Sequence, residues 1–141
     1  MDYLPQFKIF DTDTNWYVSL EMKSYVKCLG ILIDKNLSWK IHIDNVATKL
    51  SKTVGLIGKL RHFVPQHTLL NIYRALILPY LTYGLIVWGQ ASKTHSTKLL
   101  LLKKNVLRFI FFANRNVHAI RLFIDANILP ISFLYLSLYL T

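Results

Sequence analysis

Cysteine is all but absent: Cys28 stands alone in 141 residues, so no internal disulfide can form, as a reducing compartment would allow. Acid is scarce too, and unevenly so. Residues 1–44 hold five lysines against six acids, whereas residues 45–141 hold twelve Lys/Arg against Asp125 alone. The five histidines (His42, His62, His67, His95, His118) share no ligand spacing with Cys28, which argues against a zinc site. No phosphate-cradling or dinucleotide-binding glycine motif occurs. No charged-then-apolar leader opens the chain, since Asp2, Pro5 and Lys8 interrupt it; secretion is not expected and an intracellular location is. Internal repeats and low-complexity linkers are missing as well.

Long apolar runs are also lacking. A membrane span needs about 20 mainly apolar residues. The uncharged stretch "LILPYLTYGLIVWG" (76–89) follows Arg74, carries Pro79 and runs into polar "GQAS". The last stretch, 126–141, is sixteen residues and contains Pro130. Both fit buried helices better than spans. A small membrane-associated protein with hydrophobic segments at 76–92 and 126–141 is the rival reading.

What is present is apolar mass and positive charge. Hydrophobic residues make up 53% of the chain, against about 45–50% in ordinary globular proteins. That excess implies a packed core or a surface made to sit against something, and excludes disorder. The basic excess after residue 44 points to a polyanion, nucleic acid or an anionic membrane, with a plain solvated face as the alternative.

The first third reads as strands. "FKIF" (7–10) alternates, "DTDTN" (11–15) is turn-rich, and "WYVSLEM" (16–22) puts Trp16, Val18, Leu20 and Met22 on one face. "YVKCLGILID" (25–34) is apolar and β-branched. Together these predict an antiparallel hairpin of 16–22 with 25–33, and 7–10 beside it. "DTD" reads as a capping turn, with weak metal binding the alternative.

Helices follow. Ser38 is placed to cap one whose stripe is Ile43, Val46, Ala47, Leu50, Val54 and Ile57. Gly55 and Gly58 weaken it and suit close approach by another element. Pro65 fits the first turn of a second helix, with Leu69, Ile72, Tyr73, Leu76 and Ile77 lining its buried face and Pro79 ending or kinking it. A third helix, from about Ser96 to Phe112, has Leu99, Leu102, Val106, Phe109 and Ile110 as its stripe. Lys98, Lys103, Lys104, Asn105 and Arg108 are its polar residues. A short helix is expected near 117–125. The fold class is α+β: a short antiparallel hairpin or sheet, then mainly helices.

Four stretches in order, "CLGILIDKNLSWKIHID", "LRHFVPQHTLLNIYRALILPYLTYGLIVWG", "LLLLKKNVLRFI" and "ANILPI", resemble the reverse transcriptases of non-LTR retrotransposons, especially jockey-like elements. The match runs from about residue 25 to 135, and the first 24 residues fit only loosely. Pro79, Tyr83, Gly84, Trp88 and Gly89 fall on the family's fixed points. Cys28 departs, standing where an aromatic is usual. So do Leu100 and Leu101, where acidic or amide residues are common.

The resemblance implies a palm-edge hairpin remnant over 1–35 and a helical thumb-like region over 36–141, cut short at its C-terminal side. It implies a part of an RNA-directed DNA polymerase whose thumb holds the primer–template duplex, with RNA or DNA backbone and the missing palm and fingers as partners. In the family, two divalent ions (Mg²⁺) are held by an aspartate of an early palm strand and an aromatic-x-Asp-Asp turn. Neither occurs here, so no catalytic residue, metal ligand or cofactor is assigned, and the chain alone is expected not to polymerise. Leu29, Gly30 and Asp34 match the hairpin resembling a primer grip; Gly30 reads as a close-approach site, or a bulge. Lys49, Lys52, Lys59, Arg61 and His62, with Lys103, Lys104 and Arg108, are the candidate phosphate contacts. Each also fits an ordinary solvated cation. Tyr73, Tyr83 and Trp88 are candidates for base stacking, though their stripe positions favour core packing.

Overall fold

The computed structural model describes residues 8–20 and 22–140. Asp2, Pro5 and Phe7 of the reading above, and Glu21 within the expected strand 16–22, lie outside these. Two hairpins precede seven helices among the described residues.

β1 (Lys8–Asp11) pairs antiparallel with β2 (Trp16–Ser19), Lys8 opposite Ser19 and Asp11 opposite Trp16. "DTDTN" closes this hairpin by Asx chemistry. The Asp11 carboxylate accepts the Asp13 N–H at 3.0 Å and the Thr14 hydroxyl at 2.9 Å, and these bonds hold its pKa below the ordinary carboxylate value. β3 (Tyr25–Cys28) pairs with β4 (Ile31–Asp34) through a two-residue turn, with Leu29 at φ 47° and Gly30 at φ 83°. Positive φ at both central residues is the type I′ geometry that matches strand twist.

The expected pairing of 16–22 with 25–33 therefore does not form. The Leu29–Gly30 turn folds the run 25–33 on itself, and 16–19 is taken by 8–11. Gly30 is a turn residue, neither strand interior nor bulge. The apolar face expected on 16–22 is uncovered: Trp16 is 76% exposed.

α1 (Lys40–Leu60) buries Ile43, Val46, Leu50, Val54 and Ile57 as its periodicity demands. The residue directly before the helix is Trp39, in a left-handed conformation and without a side-chain cap, while the Ser38 hydroxyl oxygen accepts the Lys40 N–H at 3.4 Å, the first free N–H of α1. α2 (Gln66–Leu76) starts directly after Pro65 and buries Leu69 and Tyr73, while Leu76, expected inside, is 46% exposed. Pro79 opens α3 (Leu78–Thr82), and Gly84 at φ 64° separates it from α4 (Leu85–Trp88). The uncharged stretch 76–89 is thus one corner and two short helices, with Ile77, Leu81, Leu85 and Trp88 turned inward. α5 (Lys93–Ile110), α6 (Ala119–Asp125) and α7 (Ile131–Tyr139) complete the body. No helix of the described residues is long and apolar enough to cross a membrane.

α1 and α5 form the axis of the body and run parallel. Asp44, near the start of α1, pairs with Lys98, near the start of α5, at 2.5 Å. Near the other end a Cβ on Gly58 would lie 3.2 Å from the Phe109 ring, the close approach anticipated for that glycine. Around Gly55 there is open space.

Candidate nucleic-acid interface

The second hairpin is locked onto the start of α1. Asp34, nearly buried, accepts from the Ser38 N–H (3.1 Å), the Ser38 hydroxyl (2.9 Å) and the Trp39 N–H (2.9 Å). Desolvation opposes ionisation of this carboxyl, but the Ser38 and Trp39 bonds outweigh it and leave its pKa below the usual carboxylate value. At the other end of the hairpin the Tyr83 hydroxyl donates to the Leu29 carbonyl at 2.5 Å. Leu29, Gly30 and Asp34 are thereby placed apart in role: Leu29 projects into solvent, Gly30 turns the chain and Asp34 closes the corner into α1.

Between this hairpin, α1 and α3 lies a cavity of about 310 Å³, lined by Gly30, His42, Asn45, Lys49, Tyr80 and Tyr83 among others. His42 is buried, and its Nδ1 accepts the Leu32 N–H at 3.3 Å. An accepting Nδ1 leaves Nε2 as the protonated nitrogen, and Nε2 has no partner among the described residues. Burial and then the Lys49 charge hold the imidazole pKa below its usual value. Lys49 itself reaches over the Tyr80 ring at 5.8 Å.

The remaining cations separate by helix face. Lys52 and Lys59, seven apart, share the outward face of α1 and are exposed. Lys104 and Arg108, four apart on α5, are half-buried, and the Arg108 Nε is buried without a partner among the described residues. Arg61, at the end of α1, lies 5.5 Å from the ring centres of both Phe109 and Phe112.

Lys103 does not join Lys104 and Arg108. It is 1% exposed, donates to the Leu129 carbonyl and lies over the Phe123 ring at 5.6 Å. Burial brings its pKa down to about 8. Its spacing is the reason: four residues after Leu99 and three before Val106, it sits on the apolar stripe. Of the aromatics, Tyr73 and Trp88 are core, Trp88 donating its indole N–H to the Tyr83 carbonyl at 2.9 Å, while Tyr83 is exposed.

No protein-family profile and no solved structure matches the chain. Curated proteins do. The chain is 36% identical over 88 residues to the RNA-directed DNA polymerase from mobile element jockey of Drosophila melanogaster, covering 60% of this chain and 10% of that protein. It is 26% identical over 109 residues to the probable RNA-directed DNA polymerase from transposon X-element of the same species, covering 72% and 12%. The jockey polymerase of Drosophila funebris is 30% identical over 88 residues, covering 60% and 10%. Its homologues are polymerases of non-LTR retrotransposons.

The chain spans about a tenth of the length of these retrotransposon polymerases. Among the described residues, no three of His, Cys, Asp and Glu lie close enough together to hold a metal ion. Two features of the site escaped the sequence reading. Ligand spacing says nothing of the buried role of His42, which its place beside the stripe residue Ile43 marks as inward-facing. The primer-grip match on Asp34 says nothing of the corner into α1, which its position four residues before Ser38 and ahead of a helix start does signal.

Proposed function

We propose that this chain is the duplex-holding part of a retrotransposon RNA-directed DNA polymerase. In this reading the second hairpin sits at the palm edge, and residues 36–141 form the thumb-like region that steadies primer and template. Lys52 and Lys59 on α1, with Lys104 and Arg108 on α5, contact backbone phosphates, and Lys49 and Arg61 extend the set. One observation carries the reading: these cations lie on two parallel, tightly packed helices, within a stretch 45–124 that contains no acidic residue. Phosphate contacts of this kind position a duplex without reading its sequence. Polymerisation itself requires the palm and fingers of the longer protein, because the aromatic-x-Asp-Asp turn is not in this chain.

Fluorescence anisotropy with a labelled RNA–DNA hybrid, over a range of salt, tests this. Binding should be insensitive to sequence and should weaken steeply with salt, at a log–log slope near −0.9 for each phosphate neutralised on duplex DNA. Replacing Lys52, Lys59, Lys104 and Arg108 together by alanine should make the slope shallower by up to about 3.6 units. No hybrid binding at low salt, combined with salt-resistant association with lipid vesicles, would overturn the reading. Primer extension by the purified chain would overturn the division of labour with the palm.

A further inference from the structure

Because α1 and α5 run parallel, their C-terminal ends meet at one pole of the molecule, and an unusual set of side chains collects there. Phe63, three residues past the end of α1, is 85% exposed. Phe112, just past α5, is 54% exposed and held at φ 52°, a conformation that bulky side chains seldom adopt. The Arg61 guanidinium lies 5.5 Å from the Phe112 ring centre, and the His62 ring meets Phe112 edge-on at 6.1 Å. Arg61 Nε donates to His62 Nε2 at 3.1 Å, so the two side chains brace each other beside the ring. Lys59, two residues before Arg61, and Arg115, three residues after Phe112, are both exposed.

Singly exposed aromatics need no explanation. Here two of them share a pole with several cations, and the nearest acids in sequence are Asp44 and Asp125. An apolar protein partner has no use for an uncompensated cationic rim. A polyanion does, and the polyanion that also offers flat aromatic faces is nucleic acid. Within a duplex those faces are stacked on each other; in a single strand they are open.

We propose that the shared C-terminal pole of α1 and α5 is a stacking platform for unpaired nucleotides, RNA or DNA, with Phe63 and Phe112 as the base-stacking faces and Lys59, Arg61 and Arg115 holding the backbone. It deepens the duplex-holding reading and rests on it: the platform takes the strand where it leaves the duplex. Recognition is tolerant of sequence, since every base has a stacking face.

The test compares the full chain with the Phe63→Ala, Phe112→Ala double variant. The probes are a mixed-sequence single strand of about 12 nucleotides and a blunt RNA–DNA hybrid. Single-strand affinity should fall about tenfold or more with an unchanged salt slope, and hybrid affinity should stay within about twofold. Hybrid binding by the unaltered chain, with single-strand affinity indifferent to the substitutions, would overturn the platform and leave the duplex reading standing. Failure of the unaltered chain to bind either probe would overturn both. Irradiating the unaltered chain with a strand carrying 4-thiouracil guards against a variant that misfolds. Crosslinks are expected at residues 61–63 and 109–112, and crosslinks confined to other segments would overturn the platform.

Discussion

The two N-terminal hairpins are built alike and held very differently. Each has two four-residue strands and closes through its own turn chemistry; β1, β2 and β3 are largely exposed, whereas β4 is half-buried and ends in the buried Asp34. The first is tied together from within, by the Asp11 turn and an edge-on contact of Phe10 with Tyr17 at 5.2 Å. The second is gripped from outside at four points. Asp34 closes onto the start of α1, the Leu32 N–H meets His42, the Leu29 carbonyl meets Tyr83, and Ile31 fits over Gly84. Turn chemistry is enough to shape a hairpin, but an isolated two-stranded one is marginal in water. Only tertiary ties make it part of the cooperative structure.

That contrast can be broken at its strongest tie. A Cβ on Gly84 would lie 2.5 Å from Ile31 Cδ1, on a backbone at φ 64°. Gly84→Val should destabilise the chain by about 3 kcal/mol, combining left-handed strain with overpacking, as read by urea denaturation; a change under about 0.5 kcal/mol would mean the second hairpin is not gripped. Next in size is Asp34. Its folded pKa lies below the ordinary value, so the stability it contributes is present above the usual carboxylate range and is lost as pH falls through the lower folded value. Acid titration followed by amide exchange should release the second hairpin together with the first turn of α1. Asp11, shifted in the same direction, should release the first hairpin alone. Asp34→Asn should lower Tm at neutral pH and flatten the acid limb of the stability profile, whereas Asp11→Asn should leave Tm unchanged.

Tyr83→Phe removes one hydrogen bond to the Leu29 carbonyl and should reduce stability by about 1 kcal/mol, with faster exchange confined to residues 28–31 in the same denaturation and exchange measurements. The smallest effect belongs to the first hairpin. Phe10→Ala or Tyr17→Ala, at exposed positions, should stay within about 0.5 kcal/mol of the parent in global stability. A larger loss from either would show that the first hairpin is as integral as the second.

The same contrast explains what was legible in the sequence. Local signals are legible where they act locally: the "DTDTN" turn, the α1 stripe, Pro65 ahead of α2 and the short helix expected near 117–125, which forms as Ala119–Asp125. The observed strand partners differ from the expected ones because pairing is decided between segments, and the turn that decides it opens with Leu29, a residue that carries no turn signal. Leu76 lies on the right side of α2 by period, but the chain turns at Ile77 and Pro79 and nothing covers it. At Lys103 charge and spacing point opposite ways, and spacing decides its burial. The outward lysines, by contrast, were findable from helical period alone, whereas the pole formed by Phe63 and Phe112 depends on the parallel direction of α1 and α5, which no single helix records.

That parallel direction has a consequence for the path of the chain. Antiparallel helices can be joined by a tight loop, but a parallel neighbour of a 21-residue helix requires the chain to travel back about 30 Å before it can start again. Residues 61–92 are this return, and α2 lies against both of the helices being joined. The Asp44–Lys98 contact closes a separation of 54 residues. Loop-closure entropy grows only logarithmically, by about 0.6 kcal/mol for each doubling of length, so so long a detour costs little more than a short one. The uncharged run 76–89 makes up the later part of that detour: a path laid along the body it reconnects, with one residue in every three or four turned inward and no charge to desolvate within that run.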